Sequence, residues 1–448
     1  MSAPYDLLIV GTGTAANVVA TTVRAEGWRV GVIDHRPFGG TCALRGCDPK
    51  KVLVGAAHAV DQARRMRGKG IGGTSGISWP ELIAYKRTFT EPVPEKRERS
   101  FAERGIDSWR GKARFTGPAT VEVDGESLQA RRILIAAGAE PVGLGIEGEE
   151  HLVTHEQFLS LEKLPRRVVF VGGGYIAAEF SNIAAVAGAE VTILQRGERM
   201  LNPFDPELTG WLMEAFEAHG IDVRTRSSVE KVEKIGTSYR ISISTEGRNQ
   251  TVETDLVVHA GGRAPALEEL DLDAAGVETS EGKLCLNDYL QSTSNEAVYA
   301  AGDAAQSGPP LTPVASHDAK VVAANLLQGN HAKPDYHAVP SVAFSIPPIA
   351  MVGMSEEAAS EQGKRFRTNC NKAADWYTAR QQAQPVYGFK VLVEEDSNMI
   401  LGAHLVGPHA DEVINLFALA IRHAIKSDDL KSAMFAYPTG ASDLSSML

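Results

Sequence analysis

Sulfur is scarce in this chain, with four cysteines in 448 residues. So few exclude the disulfide scaffold of a small secreted protein. No apolar run approaches the length that crosses a bilayer, and the run nearest the start, Leu7 to Val10, is far short of a signal-peptide core. No block of like charge stands out, and 45 Lys plus Arg against 56 Asp plus Glu give a formal net charge of −11. That balance argues against nucleic acid or an anionic membrane as a partner. No low-complexity tail is present. The expectation is a soluble, cytoplasmic protein of two to four domains, since a chain of this length outgrows one core.

Two of the four cysteines nevertheless stand five positions apart, Cys42 and Cys47 in "GGTCALRGCDPKK" (39–51). In a reducing compartment a close pair is redox-active or metal-binding rather than a structural bridge, and two unrelated buried thiols are the plain alternative. The surroundings bear on the choice. "YDLLIVGTGTAANVVATTVRAEGWRVGVIDH" reads as strand, glycine turn, amphipathic helix and second strand, ending at Asp34. Gly11 permits the tight turn, Gly13 lets backbone approach a pyrophosphate at the helix N-terminus, and Ala16 is the small residue for helix–strand packing. Asp34 stands where an acid bonds a ribose hydroxyl.

The pattern recurs in "RRVVFVGGGYIAAEFSNIAAVAGAEVTILQRGERML" (166–201), with Gly172 and Gly174 at the same spacing and Ala177 third. Two dinucleotide sites imply two cofactors, one delivering electrons and one relaying them. In place of an acid the second unit has Gln195, then Arg196 and Arg199, which could grip a 2′-phosphate; this points to NADPH over NADH. Two more apolar strands run into glycine where backbone would pass close to a cofactor, "RRILIAAGAEP" (131–141) at Gly138 and "DLVVHAGGRAP" (255–265) at Gly262. A third, "NEAVYAAGDAA" (295–305), ends in Gly302 and Asp303, a carboxylate that could accept from a cofactor hydroxyl or simply cap a turn. The last hundred or so residues read as antiparallel strands and one apolar-periodic helix (410–425), a separate α+β unit.

With these features in order, the whole chain resembles the flavin-dependent pyridine nucleotide-disulfide oxidoreductases, the family of glutathione reductase, dihydrolipoamide dehydrogenase and mercuric reductase. The cysteine segment is similar to the family pattern GGTCxxxGCxPSK, alongside "GGGYIAAE", "GRAP" and "AAGDAA". The resemblance implies an α/β fold with two Rossmann-like dinucleotide-binding domains, for FAD and NAD(P), and a C-terminal α+β dimerisation domain. The expected boundaries are 1–145 and 266–333 for the two parts of the FAD domain, 146–265 for the NAD(P)H domain and 334–448 for the dimerisation domain. It further implies a homodimer that passes electrons from NADPH through FAD to a Cys42–Cys47 disulfide and on to a small acceptor. Cys47 corresponds to the thiol against the flavin, and Cys42 to the outer thiol that attacks substrate. Gly40 and Thr41 belong to the same cofactor-facing motif. Lys51 corresponds to the lysine beside the flavin, Glu179 to the glutamate paired with it, and Tyr175 to the aromatic lid over the nicotinamide pocket. Lys50 and Lys51, with a helix N-terminus nearby, would favour the attacking thiolate.

The C-terminus departs from the pattern. Where the family's disulfide reductases carry HPTxxE, whose His shuttles protons across the dimer interface, this chain reads "FAYPTGASDL", with Tyr437 for the His, Ser442 for the Glu and Asp443 one place later. A phenol ordinarily titrates near pH ~10 and is a poor base at neutral pH. His317, His404, His409 and His423 are weighed as replacements, each with a structural role as the plain reading. Lys50 for the serine of PSK, Asp48 after Cys47 and Pro348 in "SIPPIAMVG" are lesser departures. Low-molecular-weight disulfides stand first as acceptors, with soft metal ions or quinones behind. Mercuric reductases are similar in having a tyrosine at the 437 place, but this chain ends "DLSSML" without their terminal cysteine pair. Further alternatives are a diaphorase-type quinone reductase that bypasses the dithiol and a non-enzymatic redox sensor. No resident metal is expected, and Cys285 and Cys370 read as buried small hydrophobes.

Overall fold

The strands "YDLLIV", "VGVID" and "RILI" are apolar on both faces, as parallel strands covered by helices must be. In the computed structural model, which describes residues 3–448, they form the centre of a seven-stranded sheet. Its parallel strands run in the order Asp107–Arg110, Val30–Asp34, Tyr5–Val10, Glu126–Ile135, Val298–Ala300. Leu8 lies opposite Gly31 on one side and Ile133 on the other. The first half of Glu126–Ile135 instead pairs antiparallel with Thr120–Val123, which pairs with Ala113–Gly117. Helix Thr14–Ala25 lays Ala16, Val19, Ala20 and Val23 on the sheet, all fully buried. This sheet belongs to one unit, the chain up to Pro49 with Tyr85–Val142 and Arg263–Tyr336.

The other unit comprises Lys50–Ala84, Gly143–Gly262 and His337–Leu448. It holds a parallel sheet in the order Ile221–Arg224, Glu190–Leu194, Arg167–Val171, Leu256–His259, and an antiparallel ribbon of 227–235, 238–245 and 248–254. Its last part is a five-stranded antiparallel sheet, Ser341–Ala343, Ile349–Gly353, Ile400–Val406, Gly388–Glu394 and Phe366–Lys372. The expected C-terminal helix covers Ala410–Arg422 and buries Val413, Ile414 and Phe417.

These units cut the chain elsewhere than the four expected ranges, most visibly at Lys50–Ala84. Packing explains the placement. Leu53, Val54 and Ala57 are buried in one core with Phe158, Phe170, Phe180 and Ile183. Each large apolar side chain so buried stabilises by about 1.5–3 kcal/mol, enough to draw this helical stretch to that core.

Candidate active site

Cys42 lies within helix Gly40–Arg45, and Cys47 opens the next, Cys47–Arg65. Gly46 between them, at φ −140° and ψ −111°, is in neither helical nor extended conformation and separates the two helices. Neither cysteine is in a disulfide. Both sulfurs meet one hydroxyl: Thr312 Oγ1 donates to Cys42 Sγ at 3.2 Å and lies 3.4 Å from Cys47 Sγ. Thr312 is the first residue of helix Thr312–Gln328, with Pro313 behind it where a missing N–H costs no helical bond. The pKa of Cys42 is raised, first by its hydrogen bond to the Cys47 sulfur and then by burial, while Thr312 pulls it down and the Asp48 charge raises it further. Sequence reasoning missed Thr312, 265 residues from Cys47; a Thr-Pro helix start after the Gly-Pro-Pro turn at 308–310 was the available signal.

The first glycine turn forms a cradle. Gly11 has φ +111°, and a Cβ there would stand 2.2 Å from the Ala136 carbonyl oxygen. A Cβ on Gly40 would stand 2.3 Å from Gly13 Cα, so the two glycine segments pass in contact. Thr12, fully buried, ties them together: its hydroxyl donates to Asp34 Oδ2 (2.7 Å) and accepts from the Gly39 N–H (3.2 Å). Asp34 also accepts from the backbone N–H groups of Thr12 and Arg36, both at 3.0 Å, which leaves part of its acceptor capacity for a ribose hydroxyl. Ala16 is fully buried against the sheet, and Thr41 is half-buried. Gly138 accepts from the Ala266 N–H at 3.0 Å.

Asp303 follows Gly302 on a short turn that Asp318 holds: one Asp318 oxygen accepts the Gly302 N–H (3.0 Å), the other the Tyr336 hydroxyl (2.8 Å). The Asp303 carboxyl has its pKa raised by burial, partly offset by Arg263, and no hydrogen bond of the described residues satisfies it. A half-buried carboxylate left open beside glycine turns fits a hydroxylated dinucleotide such as FAD.

The second glycine turn repeats the first. Gly172 has φ +113°, with a Cβ position 2.2 Å from the Ala260 carbonyl oxygen, and Gly174 leads into helix Tyr175–Val186, where Ala177 is fully buried. Gly262 is exposed. Tyr175 is half-buried with its ring edge on Phe204, and burial raises its phenol to about 12 against a hydrogen bond with Ser341. Arg196 is exposed, whereas the Arg199 guanidinium donates to the Asn202 carbonyl (2.9 Å).

The lysine assignment needs correction. Glu179 Oε1 accepts from Lys50 Nζ at 2.6 Å and from the Phe344 N–H at 3.0 Å, with Lys50 and Glu179 side chains only 11% and 8% exposed. Lys51, half-exposed, faces Asp411 at 3.4 Å. Both ammonium groups lie over the Phe344 ring, at 4.4 and 3.7 Å from its centroid.

Tyr437 is 79% exposed, its ring 6.5 Å from that of Tyr377. Neither following group is poised to serve it: Ser442 donates to the Thr439 carbonyl (2.6 Å), and Asp443 accepts from the Tyr387 hydroxyl (2.8 Å). The histidines have other engagements. His317 accepts from the Asp335 N–H, His404 is buried against the Met354 carbonyl, His409 meets Gln382, and His423 follows the last turn of Ala410–Arg422. Cys370 is half-buried, its thiol donating to Glu207 (3.3 Å), and Cys285 is half-buried too. Among the described residues no cluster of three or more His, Cys, Asp or Glu is placed to hold a metal ion.

Residues 5–319 match the model of the pyridine nucleotide-disulphide oxidoreductases, and 339–447 match their dimerisation domain. A mercuric reductase of Lysinibacillus sphaericus is 34% identical over 445 residues, covering 98% of this chain and 81% of the relative. A glutathione reductase of Burkholderia cepacia is 30% identical over 440 residues, covering 98% and 97%. Among solved structures, the HOCl-induced flavoprotein disulfide reductase RclA from Escherichia coli superposes with a TM-score of 0.88 at 25% identity, covering 99% of both chains. The chain belongs to the pyridine nucleotide-disulphide oxidoreductase family, whose members are flavin enzymes that use FAD and NAD(P)H.

Proposed function

We propose that this enzyme takes electrons from NADPH, passes them through the Cys42–Cys47 pair and reduces a small dissolved disulfide. The carrying observation is the pair itself: two thiols in the family motif, within reach of each other and of one hydroxyl. FAD, when bound, supplies the two-electron link between the nicotinamide and the cysteines. Gly11, Gly13, Gly40, Asp34 and Asp303 would hold it. On the second turn, Arg196 and Arg199, with Gln195 in the place of the ribose-binding acid, support NADPH over NADH.

Cys42 is the less exposed of the two thiols, and in this reading its thiolate attacks one sulfur of the substrate, forming a mixed disulfide and releasing the first thiolate. Cys47 then attacks the Cys42 sulfur, closing the Cys42–Cys47 disulfide and releasing the second. Two electrons leave the pair, and the two released thiolates take up two protons. A homodimer in the cytoplasm completes the reading, and the match to the dimerisation domain supports the dimer. No helix of the described residues is long and apolar enough to cross a membrane.

The test is an anaerobic NADPH titration of flavin-loaded protein, with Cys42→Ser and Cys47→Ser beside it, followed by NADPH oxidation with a panel of small disulfides, quinones and soft metal ions. The expected result is a long-wavelength thiolate-to-flavin band that survives Cys42→Ser and disappears in Cys47→Ser, with disulfide turnover lost in both. Simple bleaching in all three proteins, or turnover with quinones untouched by Cys42→Ser, would replace this reading with a dithiol-independent reductase. Turnover with soft metal ions and with no disulfide would replace the acceptor.

A further inference from the structure

The reduced pair needs something to stabilise one negative charge as it moves between two sulfurs, and the C-terminal stretch supplies no imidazole for the task. Thr312 is placed for it. Its Oγ1 stands at nearly equal distances from Cys42 Sγ (3.2 Å) and Cys47 Sγ (3.4 Å). A hydroxyl carries one proton and rotates freely about its C–O bond, so it can donate to either sulfur but to one at a time. The backbone around it is firm: Thr312 begins a helix of 17 residues whose N-cap, Leu311, offers no side-chain bond, and Pro313 fixes the next φ. With the two sulfurs also in contact, a thiolate on either one accepts two hydrogen bonds, one from Thr312 and one from its partner's S–H.

We propose that Thr312 is the positioning residue of the reduced pair, its single hydroxyl proton serving whichever of Cys42 and Cys47 carries the negative charge. The inference deepens the dithiol relay proposed above and rests on it. No bond order changes at Thr312. When the charge moves, a proton moves from one sulfur to the other and the hydroxyl turns to follow the charge. A hydrogen bond to a charged group shifts such an equilibrium by roughly ten- to hundred-fold, so its loss should be readable at neutral pH.

The experiment compares Thr312→Val, Thr312→Ala and Thr312→Ser with the parent in flavin-loaded, dithiothreitol-reduced protein. Alkylation of Cys42 and of Cys47 by iodoacetamide is followed from pH 5 to 10 by mass spectrometry, with flavin content and Tm as checks of folding. Valine and alanine should slow alkylation of the pair about ten-fold at pH 7 and move its pH midpoint upward by about one unit, while serine restores the parent profile. A valine or alanine profile that overlays the parent's would overturn the proposal. So would serine failing alongside them, because a purely structural role would not be rescued by the hydroxyl alone. Alkylation needs no electron acceptor, so a shifted valine profile in an enzyme that reduces no disulfide would sink the acceptor assignment and leave Thr312's role standing.

Discussion

Lys50 and Lys51 are one position apart and about 100° apart around their helix. Lys50 shares a stripe with Leu53, Val54, Ala57 and Asp61, all buried, and so turns inward to Glu179. Lys51 faces outward with a side chain 51% exposed. Removing the inner charge strands a buried carboxylate, whereas removing the outer one breaks a surface pair. Lys50→Met should therefore cost about 3 kcal/mol of stability and Lys51→Met less than about 1 kcal/mol, measured by urea unfolding of the flavin-loaded protein. Equal losses would show that the buried pair has no special weight. The stripe at 50, 53, 54, 57 and 61 is a helical period that could be read from the sequence. Counting along a family pattern instead put the pairing on Lys51. Both cysteines and Asp34 were legible because their motifs are local. Thr312, Asp318 and Phe344 were not, since each acts on a partner far away in the chain.

The two strand–turn–helix units were the most legible part of the fold, because the turn, the helix face and the next strand all lie within about 35 residues in such units. What joins elements distant in sequence was not legible, and Lys390 shows why. It lies on the strand Gly388–Glu394, where alternation alone would call for an apolar side chain among Phe389, Val391 and Leu392. Its ammonium, on a side chain 6% exposed, meets Asp205 (3.0 Å), Glu207 (3.2 Å) and Glu356 (3.2 Å). Asp205 is also the N-cap of helix Pro206–Ala218, accepting from the N–H groups of Glu207 and Leu208. Burial lowers the Lys390 pKa, but the three carboxylates overcome it and the net direction is upward. A lysine with a raised folded pKa adds stability that is complete below its unfolded pKa of about 10.4 and is lost as pH rises through the folded value. Lys390→Met should then destabilise by about 3–5 kcal/mol at neutral pH, with a gap to the parent that is flat from pH 6 to 9 and narrows above ~10.5. A gap that fails to narrow above ~10.5 would assign the loss to packing, and one that closes below pH ~9 would assign it to other titrating groups.

Residues 339–447 match a dimerisation domain, and within them Leu419 is 52% exposed, Met434 fully exposed and Tyr437 79% exposed. Apolar side chains presented this way suit an interface with a second copy. In a two-fold dimer one patch meets itself or its neighbour's equivalent, so any charge placed on it appears twice. A buried carboxylate on each side of the axis is opposed both by desolvation and by its own copy. Leu419→Glu with Met434→Glu should thus convert a dimer into a monomer by sedimentation velocity, with the flavin retained because the glycine turns that would hold it lie elsewhere in the chain. Catalysis should divide along the same line. In the proposed dimer, the stretch around Tyr437, at the place of the HPTxxE segment that the resemblance points to, would complete the partner's site. The monomer should accept electrons from NADPH at the parent rate yet reduce a small disulfide at least ten-fold more slowly, a barrier change of about 1.4 kcal/mol or more. Full disulfide turnover by a proven monomer would show that Tyr437 and its neighbours take no part across the interface, and that one chain carries the whole reaction.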